Sequence, residues 1–82
     1  MKNSVDVAVA CGIVLRRLRK DAGLTQEQLA LEADLQRSYV SILELGQQQP
    51  SLTTILKLAD ALKCSAQSLM ADIEDELKNA ND

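Results

Sequence analysis

The stretch from Thr25 to Gly46 constrains the fold of this chain more than any other, because it predicts two short helices joined by a tight turn. Thr25 is followed three residues later by Gln28, which is the spacing of a capping box. An apolar stripe of helical period follows the cap and predicts the first helix. That stripe consists of Leu29, Ala30 and Ala33. The pattern breaks over residues 34–36, a second helical period begins, and Gly46 ends it.

The second of these helices has one apolar and one outward face. Val40 and Leu43 are predicted to face inward. The opposite face carries Arg37, Ser38, Ser41, Ile42 and Leu45. Because two helices this short cannot bury enough surface alone, we expect the first to brace the second, which presents this outward row to a partner.

Four segments in order and spacing, LTQEQLA, RSYVS, LELG and QPSL, resemble the lambda-repressor-like (XRE or Cro type) helix-turn-helix family of bacterial and phage DNA-binding regulators. The resemblance runs from about residue 12 to residue 69. It implies an all-α, compact five-helix bundle and double-stranded DNA as the partner. It also implies a cytoplasmic, nucleoid-associated location in a bacterial or phage setting.

The length of 82 residues predicts a single domain over residues 1–82, with a core over about 6–70 and an acidic C-terminal helix or tail over 71–82. One Tyr, no Phe and no Trp leave an aliphatic core, as expected of a small helical bundle. A domain of this size buries only about 60 to 65 % of its unfolded surface, so a second subunit would add stability. A homodimer is therefore expected.

The residue types present argue against catalysis and metal binding. The chain has no His, and its two cysteines, Cys11 and Cys64, stand apart from any cluster with metal-ligand spacing. They predict reduced, buried thiols. We expect no enzyme activity, no cofactor, no metal and no small-molecule ligand. No signal peptide is evident, and the longest apolar run, within residues 7–15, is too short to cross a bilayer, so no membrane partner is expected.

The net charge of −3 is unusual for a protein that binds nucleic acid, since duplex affinity depends largely on neutralised phosphates. The acid is concentrated at one end: residues 71–82 hold five acidic residues and one lysine, whereas residues 1–70 hold eight basic and seven acidic groups. A basic cluster lies late in the first helix and is either a DNA-facing or a merely solvated surface. It consists of Arg16, Arg17, Arg19 and Lys20. We expect a weak electrostatic contribution and a shallow salt dependence.

The flanking helices follow from the same reasoning. The first runs from about residue 6 to Ala22 and is closed by Gly23. Ser51 is predicted to cap a fourth helix and Ser65 a fifth. The buried face of the fourth helix is predicted to comprise Leu52, Ile55, Leu56, Ala59 and Leu62.

Arg37 is the first candidate for base recognition, because a guanidinium can donate two hydrogen bonds to guanine O6 and N7 in the major groove. The full predicted base-reading set is Arg37, Ser38, Tyr39, Ser41 and Ile42. For Tyr39, covering the core is an equal alternative. The predicted phosphate-contacting set is Thr25, Gln26, Gln47, Gln48 and Ser51. The resemblance further implies a partly buried ion pair between Arg19 and Glu44.

The apolar residues of the fifth helix are expected to find little to pack on within one chain, which makes them the predicted dimer interface; a contact on the same chain is the alternative. They are Leu69, Met70, Ile73 and Leu77. The leading interpretation is a homodimeric transcriptional regulator that reads a near-palindromic operator through the third helix. The runner-up is a protein-interaction module, such as an antitoxin-like protein, in which Ile42 and Leu45 form an adhesive patch and the acidic tail engages a basic partner.

Overall fold

Five α-helices make up the computed structural model, which describes the backbone of residues 4–81 and the side chains of residues 7–79. They are α1 (Ser4–Asp21), α2 (Gln26–Ala33), α3 (Arg37–Glu44), α4 (Leu52–Ala61) and α5 (Ala66–Asn81). The described backbone contains no strand, so the predicted all-α five-helix fold is confirmed. Asp82, the last residue of the predicted acidic tail, lies outside the described range. No helix in that range is both long and apolar enough to span a bilayer.

The predicted capping box at the start of α2 is present. The Thr25 hydroxyl accepts a hydrogen bond from the backbone N–H of Gln28 at 3.1 Å, and the side-chain oxygen of Gln28 accepts one from the backbone N–H of Thr25 at 2.9 Å. Ser51 caps α4 with a single such bond, which its hydroxyl accepts from the N–H of Thr54 at 3.1 Å. Local hydrogen bonding therefore sets where these helices begin.

The turn between α2 and α3 is built on a non-glycine residue in the left-handed region. Asp34 has φ 57° and ψ 48°, and its N–H donates to the carbonyl of Leu31 at 3.3 Å. The next residue, Leu35, donates to Ala30 at 2.8 Å, which completes the end of the helix. A short polar side chain tolerates this conformation better than most, although glycine would adopt it without strain.

All five helices contribute to one aliphatic core. The largest fully buried side chains are Leu15, Leu29, Leu43, Leu58, Leu69, Ile73, Val14 and Val40. The prediction that Val40 and Leu43 face inward is confirmed, since each is 1 % exposed. Cys11 is buried and Cys64 half-buried, and both are free thiols. Burial raises the pKa of both thiols, and the Asp72 carboxylate raises that of Cys64 further.

The predicted buried face of α4 is wrong in two positions. Leu52 is 72 % and Leu56 54 % exposed, whereas Leu58, which the prediction left out, is fully buried. The large apolar residues of this helix cover one broad arc that runs from Leu58 through Ile55 to Leu56, so periodicity alone does not select which part of the arc faces inward. Packing against α2 and α5 selects it instead.

The expectation that the apolar residues of α5 lack partners within one chain is wrong for two of them. Leu69 is fully buried and Ile73 is 1 % exposed, because α5 packs against α1 and α4. Neither side chain is available to a second subunit. Leu77 is half-buried against the same core, and Met70 remains 43 % exposed.

Gly12 permits close contact between α1 and the end of α3. A Cβ atom at this position would lie 2.6 Å from the carbonyl oxygen of Leu43 and 2.7 Å from that of Glu44. Those oxygens belong to the backbone and cannot move aside cheaply. The glycine therefore sets the distance between α1 and α3.

Candidate nucleic-acid interface

Helix α3 presents a row of side chains away from the core. Arg37 and Ser38 are exposed, and Ser41 and Ile42 are half-buried along the same face. Leu45, just past the helix end, is 64 % exposed. Because Val40 and Leu43 are buried on the inner face, α3 cannot rotate about its axis, and the row stays at the surface. The geometry allows a ligand with a complementary groove to reach it.

Arg37 occupies the first turn of α3 and is its only basic residue. Its side chain is exposed, and among the described residues it enters no ion pair. A guanidinium in this state retains its planar set of donors for an external acceptor. It can bind either a base edge or a phosphate.

Tyr39 differs from the other members of the predicted base-reading set. Its ring is half-buried and packs against the core cluster. The structure therefore gives this residue a packing role, which is the alternative to base contact. A contact from its hydroxyl to DNA stays a prediction.

The predicted ion pair between Arg19 and Glu44 is present and joins α1 to the end of α3. Arg19 Nε donates to Glu44 Oε2 at 2.7 Å, and a second guanidinium nitrogen donates to Oε1 at 3.0 Å. The side chains are 11 % and 3 % exposed. A third bond, 2.9 Å long, connects Arg19 to the carbonyl oxygen of Leu24. The hydrogen bonding that Arg19 donates to the Glu44 carboxylate raises the pKa of Arg19 above its usual value.

Gln26, in the first turn of α2, is tied to the same carboxylate. Its side-chain nitrogen donates to Glu44 Oε1 at 3.1 Å. This contact brings the start of α2 to the end of α3, beside the loop that follows. The neighbouring Thr25 uses its hydroxyl for the helix cap, so a phosphate contact from that hydroxyl would share it with the cap.

The other predicted phosphate-contacting residues lie in and just after the loop that leaves α3. Gln47, Gln48 and Ser51 are all exposed. The N–H of Gln47 donates to the carbonyl of Ile42 at 3.1 Å, which holds the start of the loop against α3. The Ser51 hydroxyl is engaged with Thr54, from which it accepts one bond and to which it donates another. Of these three residues, only Gln47 and Gln48 have side chains that make no hydrogen bond within the described part of the chain.

The surface around α3 carries little positive charge. Residues 25–46 contain one basic residue and four acidic ones, of which Glu44 is neutralised by Arg19. Glu27, Glu32 and Asp34 are exposed on and after α2. The surface therefore offers hydrogen-bonding and apolar groups rather than a strong positive field.

Two features of this site were not anticipated from the sequence. The hydrogen bond from Gln26 to Glu44 spans 18 residues, and no local spacing rule encodes it. The close approach at Gly12 has a weak signal, since a glycine inside an amphipathic helix often marks backbone contact. Both depend on how α1, α2 and α3 meet.

Comparison with known proteins places this arrangement in a family. The helix-turn-helix family model (HTH_3) matches residues 15–69, more than half of the chain. The control protein C.MunI of a Mycoplasma species is 36 % identical over 72 residues, which span 87 % of this chain and 97 % of that protein. The uncharacterized HTH-type transcriptional regulator y4dJ of Sinorhizobium fredii is 32 % identical over 71 residues, 87 % of this chain and 92 % of that one.

A solved structure agrees with this placement. The restriction-modification controller protein C.AhdI of Aeromonas hydrophila superposes with a TM-score of 0.73 at 48 % sequence identity, covering 76 % of this chain and 94 % of that one. The span matched by the family model contains the whole of α2, α3 and α4. The chain belongs to the helix-turn-helix family.

Proposed function

We propose that this chain is a sequence-specific regulator of transcription that binds double-stranded DNA as a homodimer. The observation that carries the proposal is the outward row of α3, headed by an exposed guanidinium and held in place by a buried inner face. Two such rows related by a twofold axis would read a near-palindromic operator whose half-sites lie about one helical turn apart. The membership of the family, whose relatives include a named transcriptional regulator, supports the same function.

Four residues of the row have a chemical role in this proposal. Arg37 donates two hydrogen bonds to guanine O6 and N7. Ser38 and Ser41 donate to bases or phosphates, and Ile42 contacts a thymine methyl group. Gln47 and Gln48 add neutral hydrogen bonds to the backbone, which fix register without reading sequence.

The dimer surface is proposed to lie where α4 and α5 leave apolar side chains exposed. Leu52 and Met70 line a shallow groove together with Val7 and Pro50. This proposal keeps Met70 from the predicted interface, adds Leu52 and leaves out the buried Leu69. Ile73 also lines the groove but is only 1 % exposed, and a dimer contact from Leu77 stays a prediction. Contact with a second copy would remove these groups from water, and a small domain gains stability in this way.

The dimer proposal is tested by Leu52→Glu, with sedimentation equilibrium as the measurement. The charge in the groove should shift the protein to monomers. Leu31→Glu is the matched control, because Leu31 is an 81 % exposed leucine on α2, away from the groove. Equal oligomeric states for wild type and Leu52→Glu would overturn the assignment of this surface.

The names of the relatives support a proposal about which genes this protein regulates. C.MunI and C.AhdI are both control proteins, and C.AhdI is named as a restriction-modification controller. We propose that this chain likewise regulates restriction-modification genes, acts in the cytoplasm and is not an enzyme. The duplex it selects should then occur upstream of a gene for a restriction enzyme or a methyltransferase in the source genome.

Selection from a random duplex library tests DNA binding itself. The wild type should enrich a near-palindromic sequence, and Arg37→Glu should lower affinity for it by roughly 100-fold or more, since a lost guanine contact is joined by charge repulsion. Lys78→Glu on α5 is the matched charge reversal and should bind nearly as well as wild type. No enrichment by the wild type would refute the proposal. Capture of a partner protein that survives Arg37→Glu would favour the protein-interaction alternative.

A further inference from the structure

The side chain of Gln26 is not a freely rotating surface amide. Its nitrogen donates to Glu44 Oε1 at 3.1 Å, and that same carboxylate receives two hydrogen bonds from Arg19. Glu44 is itself 3 % exposed, whereas Gln26 is half-buried at the edge of the α3 surface. An immobile carboxylate therefore holds a partly exposed amide.

The chemistry of the contact fixes which end of the amide faces inward. An ionised carboxylate accepts hydrogen bonds and cannot donate one. With the amide reversed, the carbonyl oxygen of Gln26 would lie against Glu44 Oε1, acceptor against acceptor. The nitrogen must therefore face Glu44, and one N–H and the carbonyl oxygen remain for an external partner.

We propose that Glu44 is a positioning residue for DNA recognition: it holds Gln26 in the orientation in which the amide contacts the duplex. This inference rests on the proposed function and adds a role to a residue whose other contact is structural. Gln26 lies in the first turn of α2, where the free backbone N–H groups of a helix start would favour a phosphate. The amide is held beside them before DNA arrives.

Holding the amide in advance has a measurable value. Immobilising a flexible side chain at an interface costs about 0.5 to 1.5 kcal/mol, which corresponds to roughly 2- to 12-fold in affinity. Without Glu44, the Gln26 side chain would have to be immobilised when DNA binds, and binding would be weaker by that cost. The contribution of Gln26 to affinity should then depend on whether Glu44 is present.

A double-mutant cycle tests this dependence. The probe is the duplex that the wild type selects from a random library, and affinity is measured by fluorescence anisotropy at a temperature where circular dichroism shows every variant folded. Gln26→Ala should weaken binding by about tenfold in the wild-type background and by no more than about twofold in the Glu44→Gln background. Gln67→Ala, an exposed glutamine on α5, is the matched control and should leave affinity unchanged.

A spectroscopic measurement separates positioning from a general effect on the fold. The side-chain NH2 resonances of Gln26, identified by their loss in Gln26→Ala, should be shifted and protected from exchange in the free wild type and should return to values typical of exposed glutamines in Glu44→Gln. If Glu44→Gln does not fold, Glu44→Asp takes its place, because it keeps the charge for Arg19 but shortens the reach to Gln26.

The outcomes distinguish this inference from the proposed function. If the wild type selects a duplex but the losses from Gln26→Ala and Glu44→Gln simply multiply, the positioning role is overturned while DNA binding stands. Gln26 resonances that are the same with and without Glu44 overturn it as well. If the wild type selects no duplex, the proposed function fails, and this inference fails with it.

Discussion

Removing Arg19 should destabilise the protein far more than removing its neighbour Arg17, although both arginines lie on α1 and pair with a glutamate. Arg19 pairs with Glu44 at 2.7 Å, with the two side chains 11 % and 3 % exposed. Arg17 pairs with Glu76 at 3.5 Å, with the two side chains 48 % and 22 % exposed. Burial is therefore the main difference between the two pairs.

The expected magnitude follows from the state of the partner that remains. Arg19→Ala leaves the Glu44 carboxylate buried, with the amide of Gln26 as its one remaining side-chain donor among the described residues. Breaking a buried pair in this way costs about 3 to 5 kcal/mol, against a total stability of about 4 to 12 kcal/mol for a domain of this size. The melting temperature should fall by at least roughly 12 °C. Arg17→Ala breaks an exposed pair and should cost about 1 kcal/mol or less.

Thermal unfolding followed by circular dichroism at a fixed protein concentration measures both changes, with concentration held constant because dimerisation affects the transition. A double variant, Arg19→Met with Glu44→Met, tests the cause. It removes both charges and should recover much of the stability, since an unpaired buried charge would no longer exist. A melting temperature for Arg19→Ala within about a degree of Arg17→Ala would refute this account of the brace.

Three further predictions follow from the backbone and the surface charge. Gly12→Ala should lower the free energy of unfolding by several kcal/mol in urea denaturation, because its Cβ would overlap backbone oxygens. Gly23→Ala is the control: this position has open space around it and φ +74°, so the substitution should cost only about 1 kcal/mol. Equal losses for the two variants would contradict the close approach of α1 and α3. Asp34→Gly should raise the urea midpoint, by up to about 1 kcal/mol in free energy, because glycine adopts φ 57° without strain; a lower midpoint would show that the aspartate side chain stabilises the turn. Operator affinity should decline with salt along a log–log slope shallower than about −8, because few phosphates are neutralised, and a steeper slope would contradict the low charge of the surface.

Features encoded by neighbouring residues could be predicted from the sequence. The capping box of Thr25 and Gln28 needs only a spacing of three, and the structure contains both of its hydrogen bonds. The inner face of α3 could be predicted because Val40 and Leu43 contrast with polar neighbours. In both cases the local preference and the tertiary fold agree.

Features that depend on a partner helix could not be predicted from the sequence. The apolar arc of α4 is broader than its inner face, and the burial of Leu58 rather than Leu56 is decided by the helices that α4 packs against. The burial of Ile73 depends on α1, which is distant in sequence, so the pattern of α5 alone does not indicate it. The bond from Gln26 to Glu44 exists only once α2 and α3 are docked.

On the proposed function, the low charge of the α3 surface makes symmetry essential to binding. One subunit offers a single exposed guanidinium on α3 and a few neutral groups, so the free energy of one half-site contact is small. When two subunits are joined, the second contact becomes intramolecular and benefits from a high effective concentration. Specific occupancy then depends on dimer formation as much as on Arg37. If the groove at Leu52 and Met70 is the dimer surface, as proposed, it determines DNA recognition as much as the residues that would contact the bases.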